Sequence, residues 1–234
     1  MGLTNHRAAK VPMLTVRHMK TRRQYVKDMI LYNWAQVRRW PMRTIPPHPL
    51  PQVRFSDEKR FCVWNDGPVR VWRREGERFR QGRTKGCVKH SKSIMMHLII
   101  ASDNQSRLTL CDTPQNSQSY QTTVLTPNLP FLRHRTSAAR RATPIVYMQD
   151  GASCHTSLST TRFLRTRGVV LLPSWPPNSP DLNPVEHCWA WISRQLVGMQ
   201  FGTARELEGD IRTAWDSRPP PPSSQPSMAA WCAV

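Results

Sequence analysis

Three acidic residues lie at the ends of elements that the sequence predicts. Asp57 is at the mouth of the first predicted strand, Asp150 follows an apolar strand, and Glu186 is in the first turn of a predicted helix. Carboxylates in such places can converge on a hard cation such as Mg²⁺, which takes oxygen ligands and keeps room for a substrate phosphate. Two such ions would hold the attacking and leaving oxygens of an in-line phosphoryl displacement.

Each of these acids also has a structural interpretation. Asp57 and Glu58 could be solvated acids before a strand, and Asp150, which precedes a glycine, could be a turn residue. Glu186 fits a helix cap, with Asn183 as N-cap, Pro184 at the first helical position and Glu186 at the third. The spacing alone therefore leaves catalysis and capping open for Glu186, and both roles can hold together.

The charge of the chain indicates its class of partner. There are 34 Lys and Arg residues against 15 Asp and Glu, a net charge of +19 with neutral histidines. Such an excess favours a polyanion, and arginine suits phosphate contacts, so nucleic acid is the expected partner. A basic surface without a dedicated partner is the alternative. No apolar run of about 18 residues is present, so we expect no membrane span.

The cysteines and histidines do not indicate a metal site of their own. The six cysteines form no C-x-x-C pair, which argues against a disulfide framework or structural zinc. Cys154-His155 and His187-Cys188 could imitate zinc ligands, but adjacent residues rarely bind the same ion. Residues 1–10 lack the apolar core of a secretory signal. We therefore expect the cysteines to be reduced, as in an intracellular protein. We expect His155 and His187 to be ordinary polar residues near the ends of elements.

The elements that must position the acids alternate between strands and helices. Apolar periodicity predicts helices over 14–40, 117–132, 156–167, from 184 onward and over 203–216. Pro127 and Pro130 are expected to disturb the end of the second helix. The helix from 184 has an apolar stripe of Val185, Cys188, Trp189, Ile192 and Leu196. Strands are predicted within 53–64, where the apolar part is 61–64, and over 69–72, 93–101, 108–111, 145–148 and 169–172. The runs at 93–101, 145–148 and 169–172 are apolar enough for strands covered on both faces. The order indicates a mixed α/β domain whose antiparallel strands, including a 61–64/69–72 hairpin, come first.

The strings around the acids resemble the Tc/mariner transposase superfamily. They are FSDEKRF over 55–61, DGASCHT over 150–156 and WPPNSPDLNPVEHCW over 175–189, and the resemblance covers roughly residues 12 to 216. It implies a ribonuclease H-like fold, a mixed sheet flanked by helices. It also implies that Asp57, Asp150 and Glu186 are an acidic triad binding two Mg²⁺ or Mn²⁺ ions. Residues 179–184 would form a rigid loop that presents Glu186, with no metal assigned to Asp181.

The resemblance also implies an activity and partners. In that family one site activates water to nick DNA at transposon ends, then activates a 3′-hydroxyl to join the end to target DNA. We therefore expect DNA as the partner, the nucleus as the location, and a homodimer as in other family members. The predicted division is an N-terminal helix with a Pro-rich linker over 1–52, a DDE catalytic domain over 53–216, and a disordered Pro/Ser-rich tail over 217–234.

The chain departs from the family pattern at several points. The residues before Asp57 predict one helix and a loop instead of paired helix-turn-helix units, so end recognition would need a full-length transposase. Thirty-five residues separate Asp150 from Glu186, one more than the commonest family spacing, and Pro173-Ser174 is a plausible place for the extra residue. Gly151 stands where the family usually has Asn. These departures keep open a second hypothesis, a catalytically inactive transposase-derived DNA-binding protein, whereas retention of the three acids favours an active core.

Overall fold

A five-stranded mixed sheet forms the centre of the molecule. The computed structural model describes residues 13–30, 52–63, 74–76, 92–101, 106–111, 114–133 and 145–218. The strands are β1 (Gln52–Cys62), β2 (Ser93–Ala101), β3 (Ser106–Cys111), β4 (Ile145–Met148) and β5 (Val170–Leu171). Their order across the sheet is β3-β2-β1-β4-β5, which places the longest strand in the middle.

The sheet changes from antiparallel to parallel at β1. β1 pairs with β2 in antiparallel register, with Asp57 opposite Leu98, and β2 pairs with β3 in the same sense. On its other edge β1 pairs with β4 in parallel, with Val53 opposite Val146, and β4 pairs with β5 in parallel. The prediction that the antiparallel strands come first is confirmed. Parallel pairing needs crossover connections, and helices supply the described part of them.

Helices cover both faces of the sheet. They are α1 (Val16–Ile30), α2 (Ser117–Ser119), a π-helix (Tyr120–Leu125), α3 (Thr126–Arg133), α4 (Ser153–Thr156), α5 (Leu158–Thr166), a 3₁₀ turn (Pro180–Leu182), α6 (Val185–Gln195) and α7 (Ala204–Asp216). One core lies between the sheet and α6 and α7, and includes Phe55, Leu98 and Trp189. The other includes Tyr120, Tyr147 and Leu164 on the opposite face.

Two helices follow the sequence pattern closely. The predicted apolar stripe of α6 is buried along its whole length: Val185, Cys188, Trp189, Ile192 and Leu196. At the start of α7 the Thr203 side chain accepts a hydrogen bond from the N–H of Glu206 at 3.2 Å. The Glu206 carboxylate accepts one from the N–H of Gly202 at 2.9 Å. Reciprocal capping of this kind satisfies N–H groups that a helix start leaves free.

Several predicted boundaries are wrong. Asp57 does not lie at the mouth of a strand but in the middle of β1, because the strand begins at Gln52, where it pairs with β4. β5 is a two-residue edge strand, and Val170 is 51% exposed, so it is not covered on both faces. The helix expected from residue 156 begins at Ser153 and is interrupted at Ser157, whose side chain caps α5 through the N–H of Thr160.

Pro127 and Pro130 do not disturb the end of their helix, contrary to the prediction. Pro130 lies inside α3, which continues to Arg133. The preceding π-helix ends where the N–H of Thr126 bonds to the carbonyl of Gln121, immediately before Pro127. Since proline has no N–H to donate and its ring crowds the preceding turn, the wider π turn accommodates Pro127 without ending the helix.

Some predictions fall outside the described residues. These are the helical continuation over 31–40, the Pro-rich stretch up to residue 51, the strand 69–72 with its hairpin, most of the 73–92 and 133–142 loops, and the tail from 219. Within the described residues, no helix has the length and apolar character needed to cross a membrane.

Candidate metal-binding active site

The three predicted acids line one cavity of about 500 Å³. Asp57 reaches it from the middle of β1, Asp150 from the end of β4 and Glu186 from the first turn of α6. The 175–183 loop forms the remaining wall. Among the residues that the structure describes, no Lys, Arg or His lines this cavity, although the chain carries a net charge of +19. The arrangement concentrates negative charge in one cavity of a basic protein.

Asp57 is partly buried beside a second carboxylate. Burial, together with the negative charges of Glu186 and Glu58, raises the pKa of Asp57 to about 7. Hydrogen bonds from the Glu58 backbone and from Trp189 act in the opposite direction. The Trp189 indole N–H donates to Oδ2 of Asp57 at 3.0 Å. Two carboxylates that repel each other in a buried place form a site where a cation is favourable.

Glu186 is positioned by its neighbours and does not act as a cap. Asn183 satisfies the helix start, because its Oδ1 accepts from the N–H of Val185 at 3.2 Å. The Asn183 side chain also donates to the carbonyl of Ser56 on β1 at 3.1 Å, which fixes the loop to the central strand. The described residues contain no hydrogen bond from the Glu186 carboxylate to the helix start. The carboxylate therefore faces the cavity without a capping role.

Asp150 is held by a buried histidine. Its Oδ1 accepts from the N–H of Ala152 at 2.9 Å and lies 2.6 Å from Nδ1 of His155. The His155 hydrogen bond is the main reason why the pKa of Asp150 is lowered. Burial disfavours the imidazolium, but Asp150 and Glu58 together raise the pKa of His155 to about 10. His155 is therefore a cation at neutral pH.

A polar network lies behind His155. Glu58 Oε1 is 3.3 Å from His155 Nε2, an ion pair without hydrogen-bond alignment, and 3.7 Å from His97 Nε2. Burial lowers the pKa of His97 to about 4, so this ring is neutral. The Tyr147 hydroxyl is 3.3 Å from His97 Nε2 and 2.9 Å from the Tyr120 hydroxyl. Glu58 thus supports His155 from the face of β1 opposite Asp57.

The motif residue Asp181 faces away from the acids. Its carboxylate is bonded to the guanidinium of Arg22 on α1, and this contact lowers the pKa of Asp181. The same guanidinium donates to the carbonyl of Asn178 at 2.8 Å and to the Ser179 hydroxyl at 2.6 Å. α1 is thereby fastened to the loop that leads into Glu186.

Sequence reasoning misses four supporting residues. It predicts Trp189 only as core, His155 only as a polar residue, Glu58 as a solvated acid and Asn183 only as a cap. All four lie within the strings that carry the family resemblance. Their presence there is a signal, but the partner of each side chain lies on a different element.

The donor set fits a hard divalent cation, although the acids are not gathered around one point. Three carboxylates on one cavity wall are the ligands that Mg²⁺ and Mn²⁺ prefer. Within the described part of the chain, no three His, Cys, Asp or Glu side chains lie close enough to hold one ion as they stand. The chemistry of the site therefore suits an ion, and the described cysteines are all free thiols without a zinc cluster.

Comparison with known proteins identifies the class. Residues 52–208 match the family described as "DDE superfamily endonuclease". The chain belongs to this family, as a catalytic domain of the Tc1/mariner transposase type. It is 27% identical over 220 residues to the transposable element Tcb1 transposase of Caenorhabditis briggsae, covering 93% of this chain and 74% of the relative. It is 30% identical over 167 residues to the Tcb2 transposase of the same species, covering 70% of this chain and 59% of the relative.

Solved structures confirm the predicted fold. The catalytic domain of Mos1 mariner transposase superposes with a TM-score of 0.62 at 15% identity, covering 96% of this chain and 91% of that domain. A pre-cleavage Mos1 transpososome gives a TM-score of 0.70 at 17% identity, covering 99% of this chain and 64% of the Mos1 chain. The ribonuclease H-like expectation is therefore confirmed. The chain spans 64% of that Mos1 chain and less than two thirds of some curated relatives.

Proposed function

We propose that this chain is the catalytic core of a cut-and-paste DNA transposase, which cleaves DNA strands and joins them to a target with divalent cations at Asp57, Asp150 and Glu186. One observation carries the proposal. A cavity lined by these three acids, and by no described basic side chain, occurs in a chain of net charge +19. A cation at this point would remove the repulsion between Asp57 and Glu186 and could contact a DNA phosphate.

Each acid has a distinct support for this role. Trp189 orients Asp57 by its indole N–H, His155 orients Asp150 by Nδ1, and Asn183 fixes the start of the helix that carries Glu186. Bound Mg²⁺ or Mn²⁺, two ions in our proposal, would activate a water or a 3′-hydroxyl and offset charge on the leaving oxygen. Supporting residues of this kind keep ligands in one orientation and commonly change metal affinity or activity about 10–100-fold.

The partners and location are part of the proposal. Mos1 transposase has been solved as a paired-end complex with its left transposon end, and as paired-end complexes with Mn and with Mg. By analogy we propose transposon ends and target DNA as substrates, a homodimer as the working form, and the nucleus as the location. We also propose that residues 53–216 form the catalytic domain, that 217–234 are a tail, and that end recognition is supplied by a full-length transposase.

A plasmid-nicking assay tests the proposal. The purified chain is incubated with supercoiled DNA and Mn²⁺ or Mg²⁺, beside Glu186→Gln and the matched control Glu206→Gln on α7. We expect wild type and Glu206→Gln to nick, and Glu186→Gln to be inactive. DNA binding without nicking in all three proteins would instead support the inactive DNA-binding hypothesis. Equal nicking by wild type and Glu186→Gln would show that the acids are not the active site.

A further inference from the structure

A second cavity lies between α1 and Ser174, and the only charged residues described in its lining are cations. It has a volume of about 630 Å³ and is lined by Lys20, Thr21, Arg23, Gln24, Tyr25, Lys27 and Ser174. Lys20, Arg23 and Lys27 follow at intervals of three and four residues, so they lie along one face of the helix. All three are exposed. No acidic side chain that the structure describes lines this cavity.

The three cations differ from their neighbour Arg22. Arg22 is bonded to Asp181 and to the loop that precedes Glu186, so its charge is used inside the protein. Lys20, Arg23 and Lys27 form no salt bridge with any described residue. Three like charges within two helical turns repel one another, and this repulsion favours an anionic ligand. Arg22 thus has a structural role, whereas Lys20, Arg23 and Lys27 can bind an anion from outside the chain.

A buried tyrosine lines the same cavity. Tyr25 lines it and is only 6% exposed, yet its hydroxyl has no hydrogen-bond partner among the described residues. The Tyr25 ring packs edge-on against Trp175 with ring centroids 5.5 Å apart, so its position is fixed by the loop as well as by α1. Buried hydroxyls are nearly always satisfied, and an acceptor oxygen of a bound ligand would satisfy this one.

The basic cavity adjoins the acidic cavity. Ser174 lines the basic cavity and the next residue, Trp175, lines the acidic one, so a single residue step separates the two. Ser174 is held in the left-handed backbone region with φ of 61°. Trp175 packs against Tyr25 on one side and Phe55 of β1 on the other. Trp175 therefore lines the acidic cavity and contacts a residue that lines the basic cavity.

We propose that the Lys20–Arg23–Lys27 face of α1, with the hydroxyl of Tyr25, is a binding site for backbone phosphates of the DNA strand that enters the acidic cavity. This inference rests on the proposed function and adds a substrate-positioning site to it. The contacts are with phosphate oxygens and read no base, so they set the register of the strand without selecting its sequence. α1 thereby holds the loop that precedes Glu186 through Arg22 and positions the DNA strand through its other three cations.

A charge-matched comparison tests the site. DNA binding to a labelled duplex is measured by fluorescence anisotropy at several salt concentrations without divalent metal. The triple variant Lys20→Gln/Arg23→Gln/Lys27→Gln is compared with Arg162→Gln/Arg165→Gln/Arg205→Gln, which removes three exposed arginines from α5 and α7. Each lost phosphate contact lowers the log–log salt slope by about 0.9. We expect the α1 variant to lose roughly two to three contacts by this measure and the control to lose less than one.

Neutral linkages in the DNA locate the contact. Uncharged methylphosphonate groups replace single phosphates at successive positions from the cleavage point. We expect wild type to lose affinity at one or two positions near that point, and the α1 variant to be insensitive at those same positions. Tyr25→Phe should weaken binding at one of them and leave the salt slope unchanged. Equal losses in both triple variants, or position-independent losses, would overturn the site.

Nicking and phosphate binding separate the α1 site from the acidic cavity and from a free-anion site. Glu186→Gln should bind DNA as wild type does but not nick it. If wild type does not nick, while the α1 triple variant still loses DNA affinity, the proposed catalysis is overturned and the phosphate site is kept. Active nicking with no α1 effect overturns the phosphate site alone. Tight binding of inorganic phosphate that the α1 variant loses, with DNA affinity unchanged, would show a free-anion site and also overturn the inference. No DNA binding by wild type overturns both proposals.

Discussion

Trp189 donates its indole N–H to Oδ2 of Asp57 at 3.0 Å, and it lies one helical turn beyond Glu186 on α6. Residues three apart lie on one face of a helix, so α6 presents an acid and a hydrogen-bond donor to the same strand residue. The spacing of Glu186 and Trp189 within the motif thus places both side chains beside Asp57, in addition to the contribution of Trp189 to the core.

The indole contact can be removed with little change in packing. Trp189→Phe keeps an aromatic ring near Phe61, whose centroid is 5.9 Å from that of Trp189, and deletes the donor to Asp57. We expect the Mn²⁺ concentration for half-maximal nicking to rise about 10-fold. Trp191→Phe is the matched control, because the Trp191 indole donates to the carbonyl of Ala214 away from the cavity. Equal effects of the two variants would contradict a role for Trp189 in orienting Asp57.

His155 should matter through Asp150. In His155→Gln the imidazolium is lost, so the pKa of Asp150 returns toward its ordinary range and the carboxylate loses its fixed orientation. We expect nicking to fall about 10–100-fold with DNA affinity unchanged. Glu58→Gln removes a charge that acts on His155 from behind, so its effect should be smaller. A larger effect for Glu58→Gln would show that Glu58 acts directly at the ion.

The stability of the metal-free protein should report the charge of Asp57. Its folded pKa of about 7 lies above the ordinary value of 3.8, so the native state holds the proton more strongly and loses stability as pH rises between these values. We expect Asp57→Asn to match wild type near pH 4 and to exceed its free energy of unfolding by roughly 2–4 kcal/mol at about pH 8. Urea unfolding in EDTA measures this difference.

Asp150→Asn is the opposing control. The pKa of Asp150 is lowered in the folded state, so its carboxylate stabilises the native protein above its ordinary titration range, and this contribution is lost as pH falls through the lowered pKa. We expect Asp150→Asn to be less stable than wild type at neutral pH, where Asp57→Asn is more stable. Excess Mn²⁺ should raise the unfolding temperature of wild type and of neither variant. Stabilisation by both substitutions would contradict the two pKa directions.

Asp181 is predicted to be structural and not a metal ligand. Asp181→Asn removes the carboxylate that pairs with Arg22, and the Asp181 side chain is 59% exposed. Since exposed ion pairs contribute little to stability, we expect the nicking rate to stay within about fivefold of wild type. Arg22→Gln removes the hydrogen bonds to Asn178 and Ser179 as well, so we expect its nicking rate to fall by more than about 10-fold. Arg212→Gln, which breaks the bridge to Glu208 on α7, is the control. Inactivity of Asp181→Asn equal to that of Asp150→Asn would instead identify Asp181 as a ligand.

Local patterns predict the elements, whereas distant partners cannot be predicted from them. The apolar stripe of α6 and the strand over 145–148 follow from periodicity, because burial on one face or both leaves a direct trace in the sequence. The polar residues around Asp57 predict a strand end there, yet β1 extends on both sides of it because residues 52–55 pair with β4 and residues 54–62 pair with β2. Because residues 57–60 are polar, no hydrophobic periodicity marks this part of the central strand.

The sequence predicts the site as three residues, but its supports come from pairings across the sheet. Arg22 and Asp181 are 159 positions apart, and Trp189 and Asp57 are 132 apart. No local spacing connects such residues, because their proximity arises only when α1 packs on the 175–182 loop and α6 packs on β1. The acids can be named from the motif strings, whereas the cavity, the Arg22 contacts and the charge on His155 require the structure.

Asp57 and Glu58 are adjacent in β1, so their side chains project to opposite faces of the sheet. Asp57 meets α6, whereas Glu58 meets His97 and His155 in the other layer. The strand therefore joins two separately packed halves, and local opening of either half would release one of the two acids. Amide hydrogen exchange in β1 should accordingly follow the less stable layer. A one-residue slip of β1 would exchange the two acids and disable the site while leaving the composition of the chain unchanged.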